Sequence, residues 1–273
     1  MVGYKFKRTG FKGDESIMYC VTAACGCNIG KVRGNNEDNF YFDHSFLPQE
    51  NHGLESVKAF TGTLERPACF GVFDGMGGEA YGEVAAYLAV STMHETLQRG
   101  IDLPNSLLSA CINANKQICK TARRQKVGMM GTTAVLLGLK ETAAYLVNIG
   151  DSRAYLYRAG KLQQISVDHT DQALLASQDI PRRKPRLTQH LGIEPEDMLI
   201  EPYETKLEIQ NGDLLLLCSD GLTDMVCQNE MIDILNKNSD VESSVESLIS
   251  RALSNGGKDN ITIILCEITQ MHQ

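Results

Sequence analysis

No apolar stretch in these 273 residues approaches the ~20 needed to span a bilayer. The basic residues near the start, Lys5, Lys7, Arg8 and Lys12, have no apolar segment behind them, which argues against a secretory signal. Excess positive charge is missing as well. Asp and Glu outnumber Lys and Arg by 34 to 26, for a net charge of -8, so a phosphate backbone of nucleic acid is not the expected partner. A matched set of cysteines is also absent. The nine are an odd number, and Cys69, Cys111, Cys119, Cys218 and Cys266 lie inside apolar patterns. They read as small buried hydrophobes in a reducing compartment, not a disulfide framework. Cys25 and Cys27 form C-x-C with no second pair, which argues against zinc. No G-x-x-x-x-G-K-[ST] occurs, so a nucleotide-binding kinase lacks its phosphate loop. A soluble, cytoplasmic protein is expected.

Hydrophobic residues make up 42% of the chain and charged residues 22%, enough to bury a core and too little polarity for wholesale disorder. No repeat, low-complexity tract or linker divides the sequence. Residues 1–18 read as a loose basic leader, and 19–270 as a single domain. Strand patterns cover Tyr19 to Cys27 and Asn39 to Asp43, the second half-buried by its alternation of Phe40 and Phe42 with polar residues. Residues 44–66 read as a polar loop with a hairpin. Helical patterns run from Glu79 to Arg99 and from Asn105, a candidate N-cap, to Gln125; Leu107, Leu108, Cys111, Ile112, Ile118 and Cys119 form the apolar stripe of the second. Closely spaced strands come next at Thr132 to Leu139, Ala143 to Ile149 and Ala154 to Tyr157, which implies antiparallel meanders. Asp168 to Pro202 reads as an exposed excursion carrying the basic run 182–186. The leucine-rich strand Asp213 to Cys218 precedes two helices, the last over Val241 to Leu253 with a capping box from Ser239 to Glu242. Ile261 to Ile268 is the final strand. This order predicts an α+β fold with antiparallel sheets.

One stretch invites chemistry. The apolar run Ala68 to Phe73 ends in Asp74, and Gly75, Gly77 and Gly78 crowd the turn after it. Taken alone, it fits equally a tight strand-to-helix turn capped by Asp74 or a metal or phosphate site that glycine lets a ligand approach. Similar turns hold Asp151, Asp220 and Asp259. Acids at strand ends can converge on one sheet edge, where they repel each other unless cations hold them. All-oxygen ligation selects Mg2+ or Mn2+ over zinc. Four independent turn aspartates remain the plainer alternative.

The set Arg33-x-x-Asn36-Glu37-Asp38, Phe73-Asp74-Gly75-Met76-Gly77-Gly78, Gly131-Thr132-Thr133, Gly150-Asp151-Ser152-Arg153, Ser219-Asp220-Gly221 and Lys258-Asp259-Asn260 resembles the metal-dependent serine/threonine phosphatases of type 2C, in their bacterial branch. The motifs keep the family's order and span residues 22–268. The resemblance implies a central sandwich of two antiparallel β-sheets flanked by α-helical layers, and a site for two Mn2+ or Mg2+ ions with a possible third. It implies that Asp74 bridges both ions, that the Gly75 carbonyl binds one, and that Asp220 and Asp259 hold the other. Asp151 with Asp220 matches the third position. Glu37 and Asp38 would act through metal-bound water, and Arg33 would grip phosphate. The implied reaction is attack of a metal-bridging hydroxide on phosphoserine or phosphothreonine. Phosphoproteins and a cognate serine/threonine kinase system are the implied partners of a monomeric enzyme.

Met76 departs from the pattern, since animal relatives carry histidine there. Asn28 stands where relatives often have aspartate. His169 matches a recurrent segment and reads as structural. The excursion corresponds to a variable flap near 170–190. Two rivals remain. Cys27 and Arg33 form a C-x5-R match to cysteine-dependent phosphatases, although the residues after Arg33 look strand-like and acidic, not helical. A non-catalytic pseudophosphatase signalling by binding would keep the fold and lose a core acid; Asp74, Asp220 and Asp259 are all present.

Overall fold

A computed structural model describes residues 18–76, 81–177 and 184–271. The expected leader, apart from Met18, lies outside the described residues, as do Gly77, Gly78 and the basic pair Arg182 and Arg183.

The strands are β1 (Met18–Asn28), β2 (Asp38–Phe42), β3 (Lys58–Thr63), β4 (Ala68–Met76), β5 (Gly131–Thr132), β6 (Ala134–Lys140), β7 (Ala143–Ile149), β8 (Arg153–Arg158), β9 (Lys161–Gln164), β10 (Tyr203–Glu208), β11 (Leu214–Cys218) and β12 (Ile261–Met271). The helices are α1 (Gly82–Gln98), α2 (Asn105–Gln125), α3 (Gln172–Ser177), α4 (Asp220–Thr223), α5 (Gln228–Lys237) and α6 (Val241–Ser254). One sheet runs β3-β1-β12-β11-β8-β9 and the other β10-β7-β6-β4-β2, with β5 joined to β4. All pairings are antiparallel.

Successive side chains on a strand face opposite ways, and the long apolar runs exploit both faces. Along β12, Ile264, Cys266 and Ile268 join the core between the sheets, while Ile263 and Leu265 pack with α5 and α6. On β11 the same division separates Leu215 and Leu217 from Leu216 and Cys218. On β4, Phe70 and Val72 face the other sheet, whereas Cys69 and Phe73 meet α1 and α2. The layers therefore run helices, sheet, sheet, helices, each junction sealed by its own core.

Several expectations need correction. β2 is buried throughout, because α1 covers one face and the facing sheet the other. The loop expected at 44–66 contains β3, which pairs with β1 instead of forming a hairpin. β4 continues through Asp74 and Gly75 to Met76 because β5 extends its ladder. Thr132 to Leu139 is two strands, interrupted at Thr133, whose N–H donates to the Asp74 carbonyl. An unforeseen strand, β10, comes directly after the excursion. Three helices come after β11, the first a single turn. Asn105 does not cap α2; it lies inside the helix, and its side chain donates to Asp102. Ile112 leaves the expected stripe and is exposed. The N-cap of α6 is Asp240, whose carboxylate accepts from the Ser243 N–H.

Candidate active site

The acids singled out in the sequence stand at the ends of different elements. Asp38 opens β2 and Asp74 lies directly across from it on β4, in register. Asp220 begins α4 at the end of β11, and Asp259 precedes β12. Asp151 sits in the turn between β7 and β8, where Gly150 has φ of +104°.

Backbone contacts fix this end of the sandwich. The Asp74 carbonyl accepts from Thr132 Oγ1 and the Thr133 N–H, both at 2.9 Å, and its own N–H donates to Thr133 Oγ1 at 3.1 Å. Thr133 Oγ1 also meets Ser152 Oγ at 2.6 Å, which ties the Asp151 turn to β4. The Gly75 N–H donates to the Glu37 carbonyl. A Cβ on Gly75 would lie 2.3 Å from the Gly82 carbonyl oxygen and 2.6 Å from that of Glu37, so only glycine fits. Asn260 joins the Asp259 loop to residues 29–37: its Oδ1 accepts from the Glu37 N–H at 2.8 Å, and its Nδ2 donates to the carbonyls of Ile29 and Asn35.

The carboxylates share one electrostatic field. Burial, then Asp38, Asp220, Asp151 and Asp259, push the Asp74 carboxyl well above the ordinary range. Burial raises Asp38 to about 7 against the pull of its two hydroxyl donors, Thr262 and Ser219, each at 2.7 Å from Oδ2. Glu37 rises to about 7, mainly by burial, with Arg33 opposing. Asp151 rises to about 6 through burial and Asp220. Burial also raises Asp220, opposed by Lys184.

Two protein cations enter this field. An Arg33 Nη donates to Asp259 Oδ2 at 2.7 Å, and Lys184 Nζ to Asp220 Oδ2 at 2.6 Å. Among the described residues, no three His, Cys, Asp or Glu side chains close on one point in ligating geometry. The donor chemistry nevertheless suits hard cations. These acids are oxygen donors, buried or half-buried, and each lifts its neighbours' pKa, which is the excess negative charge that divalent ions neutralise.

The cysteine rival does not survive the geometry. Cys27 lies within β1, almost fully buried, and a loop and then β2 come after Arg33 where a phosphate-cradling helix would be required. Burial, then Asp38, pushes its thiol up to about 12, and the sulfur is enclosed by Asn36, whose Nδ2 donates to it, and by the Thr262 hydroxyl. His169 is half-buried with its pKa lowered by burial, and its Nδ1 accepts from the Gly150 N–H, so it buttresses the Asp151 turn. Arg153 pairs with Asp168 at 2.6 Å, away from phosphate duty.

Sequence reasoning quoted Asn260, Thr133 and Ser219 only as motif letters and did not see Thr262 or Lys184 as parts of the site. The partners of the first four are backbone or acid groups far along the chain, so no local spacing marks them. For Lys184 the only signal was its place in the basic run.

Comparison with known proteins agrees with this arrangement. The family described as protein phosphatase 2C matches residues 58–266. The serine/threonine phosphatase Stp of Listeria welshimeri is 32% identical over 262 residues, covering 89% of this chain and 94% of Stp. PstP of Mycobacterium tuberculosis is 32% identical over 254 residues, covering 88% of this chain and 43% of PstP. The solved PstP structure from that organism superposes with a TM-score of 0.74 at 31% identity, covering 91% of this chain and 98% of that one. A second structure, of the PstP catalytic domain in complex with two manganese ions, also gives 0.74 at 31% identity, covering 92% and 99%. With a family match over residues 58–266 and a relative 32% identical across 89% of its length, the chain belongs to the protein phosphatase 2C family.

Proposed function

We propose that this chain is a metal-dependent phosphoprotein phosphatase that hydrolyses phosphoserine and phosphothreonine. The observation that carries the reading is the shared field of Asp74, Asp38, Asp220, Asp151 and Asp259, brought from separate element ends to one rim of the sandwich. Asp74, the Gly75 carbonyl, Asp220 and Asp259 would hold two Mn2+ or Mg2+ ions, with Asp151 and Asp220 available to a third. Bound there, the ions would supply positive charge to the phosphate oxygens and acidify the attacking water.

The protein's own groups do the rest. Arg33 is 41% exposed at its side chain, so its planar fork can leave Asp259 and grip two phosphate oxygens. Asp38, fixed through Oδ2 by Ser219 and Thr262, is rigid enough to orient a water. Glu37, half-buried with an Arg33 Nη at 3.9 Å, would accept a hydrogen bond from a water at the rim. Asn260 keeps Glu37 and Asp259 at fixed separation through the 29–37 loop. Phosphorylated proteins made by a serine/threonine kinase are the substrates, in keeping with the names of the relatives, and the compartment is cytoplasmic. Among the described residues no helix is long and apolar enough to cross a membrane.

The test is hydrolysis of a phosphothreonine peptide and of p-nitrophenyl phosphate with Mn2+, with Mg2+ and with EDTA. Asp74→Asn and Asp220→Asn are expected to lose about a hundredfold or more in kcat/KM. Undiminished turnover in EDTA, or in either variant, would refute the assignment.

A further inference from the structure

Lys184 reaches the acid rim from a segment that the phosphatase reading does not use. Its ammonium lies 2.6 Å from Asp220 Oδ2 and 2.9 Å from Asp224 Oδ2. Asp224 is the C-cap of α4, four residues after Asp220, so both carboxylates present themselves to one cation. Asp220 is among the acids pushed up by burial, and Lys184 is the largest influence holding it down.

The position of Lys184 is backed by main chain. The Arg186 N–H donates to Asp171 Oδ1 at 2.8 Å, and the Asp171 N–H donates to the Arg186 carbonyl at 3.0 Å. The Thr188 N–H donates to the His169 carbonyl, and the His169 N–H to the carbonyl of Gly150, the neighbour of Asp151. The 184–188 segment is thus moored to the same turn that carries one of the rim acids. Lys184 sits there by construction of the fold, and its side chain is 56% exposed, open to exchange with solvent ions.

We propose that Lys184 is an internal cation that occupies the Asp220–Asp224 end of the rim and must be displaced by a divalent ion binding at Asp220. The proposal rests on the cation-binding reading of the rim. An ammonium on Asp220 Oδ2 and a divalent ion on the same carboxylate compete, because two positive charges at such range repel. The exchange needs no covalent step. Lys184 therefore lowers cation affinity, and cation occupancy frees the 184–188 segment from α4. Lys184 sets the concentration at which the site fills.

The experiment is calorimetric titration of Mn2+ into the full chain and its Lys184→Gln, Lys184→Arg and Asp224→Asn variants, with melting curves in EDTA and in saturating Mn2+. Lys184→Gln is expected to tighten the weakest Mn2+ site about tenfold, a value discounted for exposure of the pair. It should also melt lower than wild type in EDTA and level with it in Mn2+. Lys184→Arg, which keeps the charge, should stay near wild type. Asp224→Asn, which removes one of the two anchors, should tighten binding by a smaller factor. Superimposable isotherms for wild type and Lys184→Gln overturn the proposal while leaving the cation site standing. A chain that takes up no Mn2+ in any form overturns both.

Discussion

Gly221 and Asn115 show how strongly single positions are fixed by main chain that lies far off in sequence. A Cβ on Gly221 would lie 1.9 Å from the Asn260 carbonyl oxygen, which is backbone and cannot swing aside. Gly221→Ala is expected to cost about 2–4 kcal/mol, because the turn after β11 must shift against the Asp259 loop. Denaturant unfolding checks it; an unchanged midpoint would mean that the two loops move apart freely. Asn115 is buried in α2, where its Oδ1 accepts from the N–H groups of Gly192 and Ile193 and its Nδ2 donates to the Ile193 carbonyl. Asn115→Leu leaves the Gly192 and Ile193 N–H groups without their acceptor and should lose about 2–4 kcal/mol in the same assay. The acids were legible in the sequence because Asp beside Gly after an apolar run is a local signal. Asn115 and Asn260 were not legible in these roles, since their partners stand 77 and 231 positions away.

Caps and edge strands are where local signals mislead. Ser239 and Asp240 are both good cap residues, and spacing to Glu242 favoured the serine. The carboxylate of Asp240 wins because it accepts from both the N–H and the hydroxyl of Ser243. At α5, Glu230 accepts from the Cys227 N–H and from Arg251. These contacts, the Cys227 N–H foremost, pull its carboxyl from 4.5 to about 2. The folded value is depressed, so the contribution is complete above 4.5 and disappears as pH falls through about 2. Glu230→Gln should melt below wild type near neutral pH, and the gap should close on acidification across that window. A gap independent of pH would show that charge at Glu230 contributes nothing. β3 and β10 escaped notice because both are edge strands whose inward positions include few large apolar residues, such as Phe60 in β3 and Leu207 in β10. The bounds of the mostly apolar β7 and of the periodic α2 were readable to the residue.

For the molecule as a whole, the acid rim trades stability for binding. Buried carboxyls with raised pKa favour the protonated form, so at neutral pH their charge works against the folded state. Asp74→Asn removes one such charge and should melt higher than wild type in EDTA, yet gain less from Mn2+. Wild type should gain about 2.7 kcal/mol when free Mn2+ is a hundred times its Kd. Calorimetry in both conditions checks it, and a wild type that melts equally with and without Mn2+ would contradict a rim built for cations. The α+β class and antiparallel pairing were readable from close strand spacing, whereas the order of strands was not, because β1 finds its partner at the other end of the described chain. That pairing has a consequence for biosynthesis. One sheet has all its strands by Glu208, but in the other β12 sits between β1 and β11. Until residues 261–271 emerge from the ribosome, the nascent polypeptide carries two open strand edges with no neighbour to zip between them. Early termination would release a half-closed intermediate prone to aggregate.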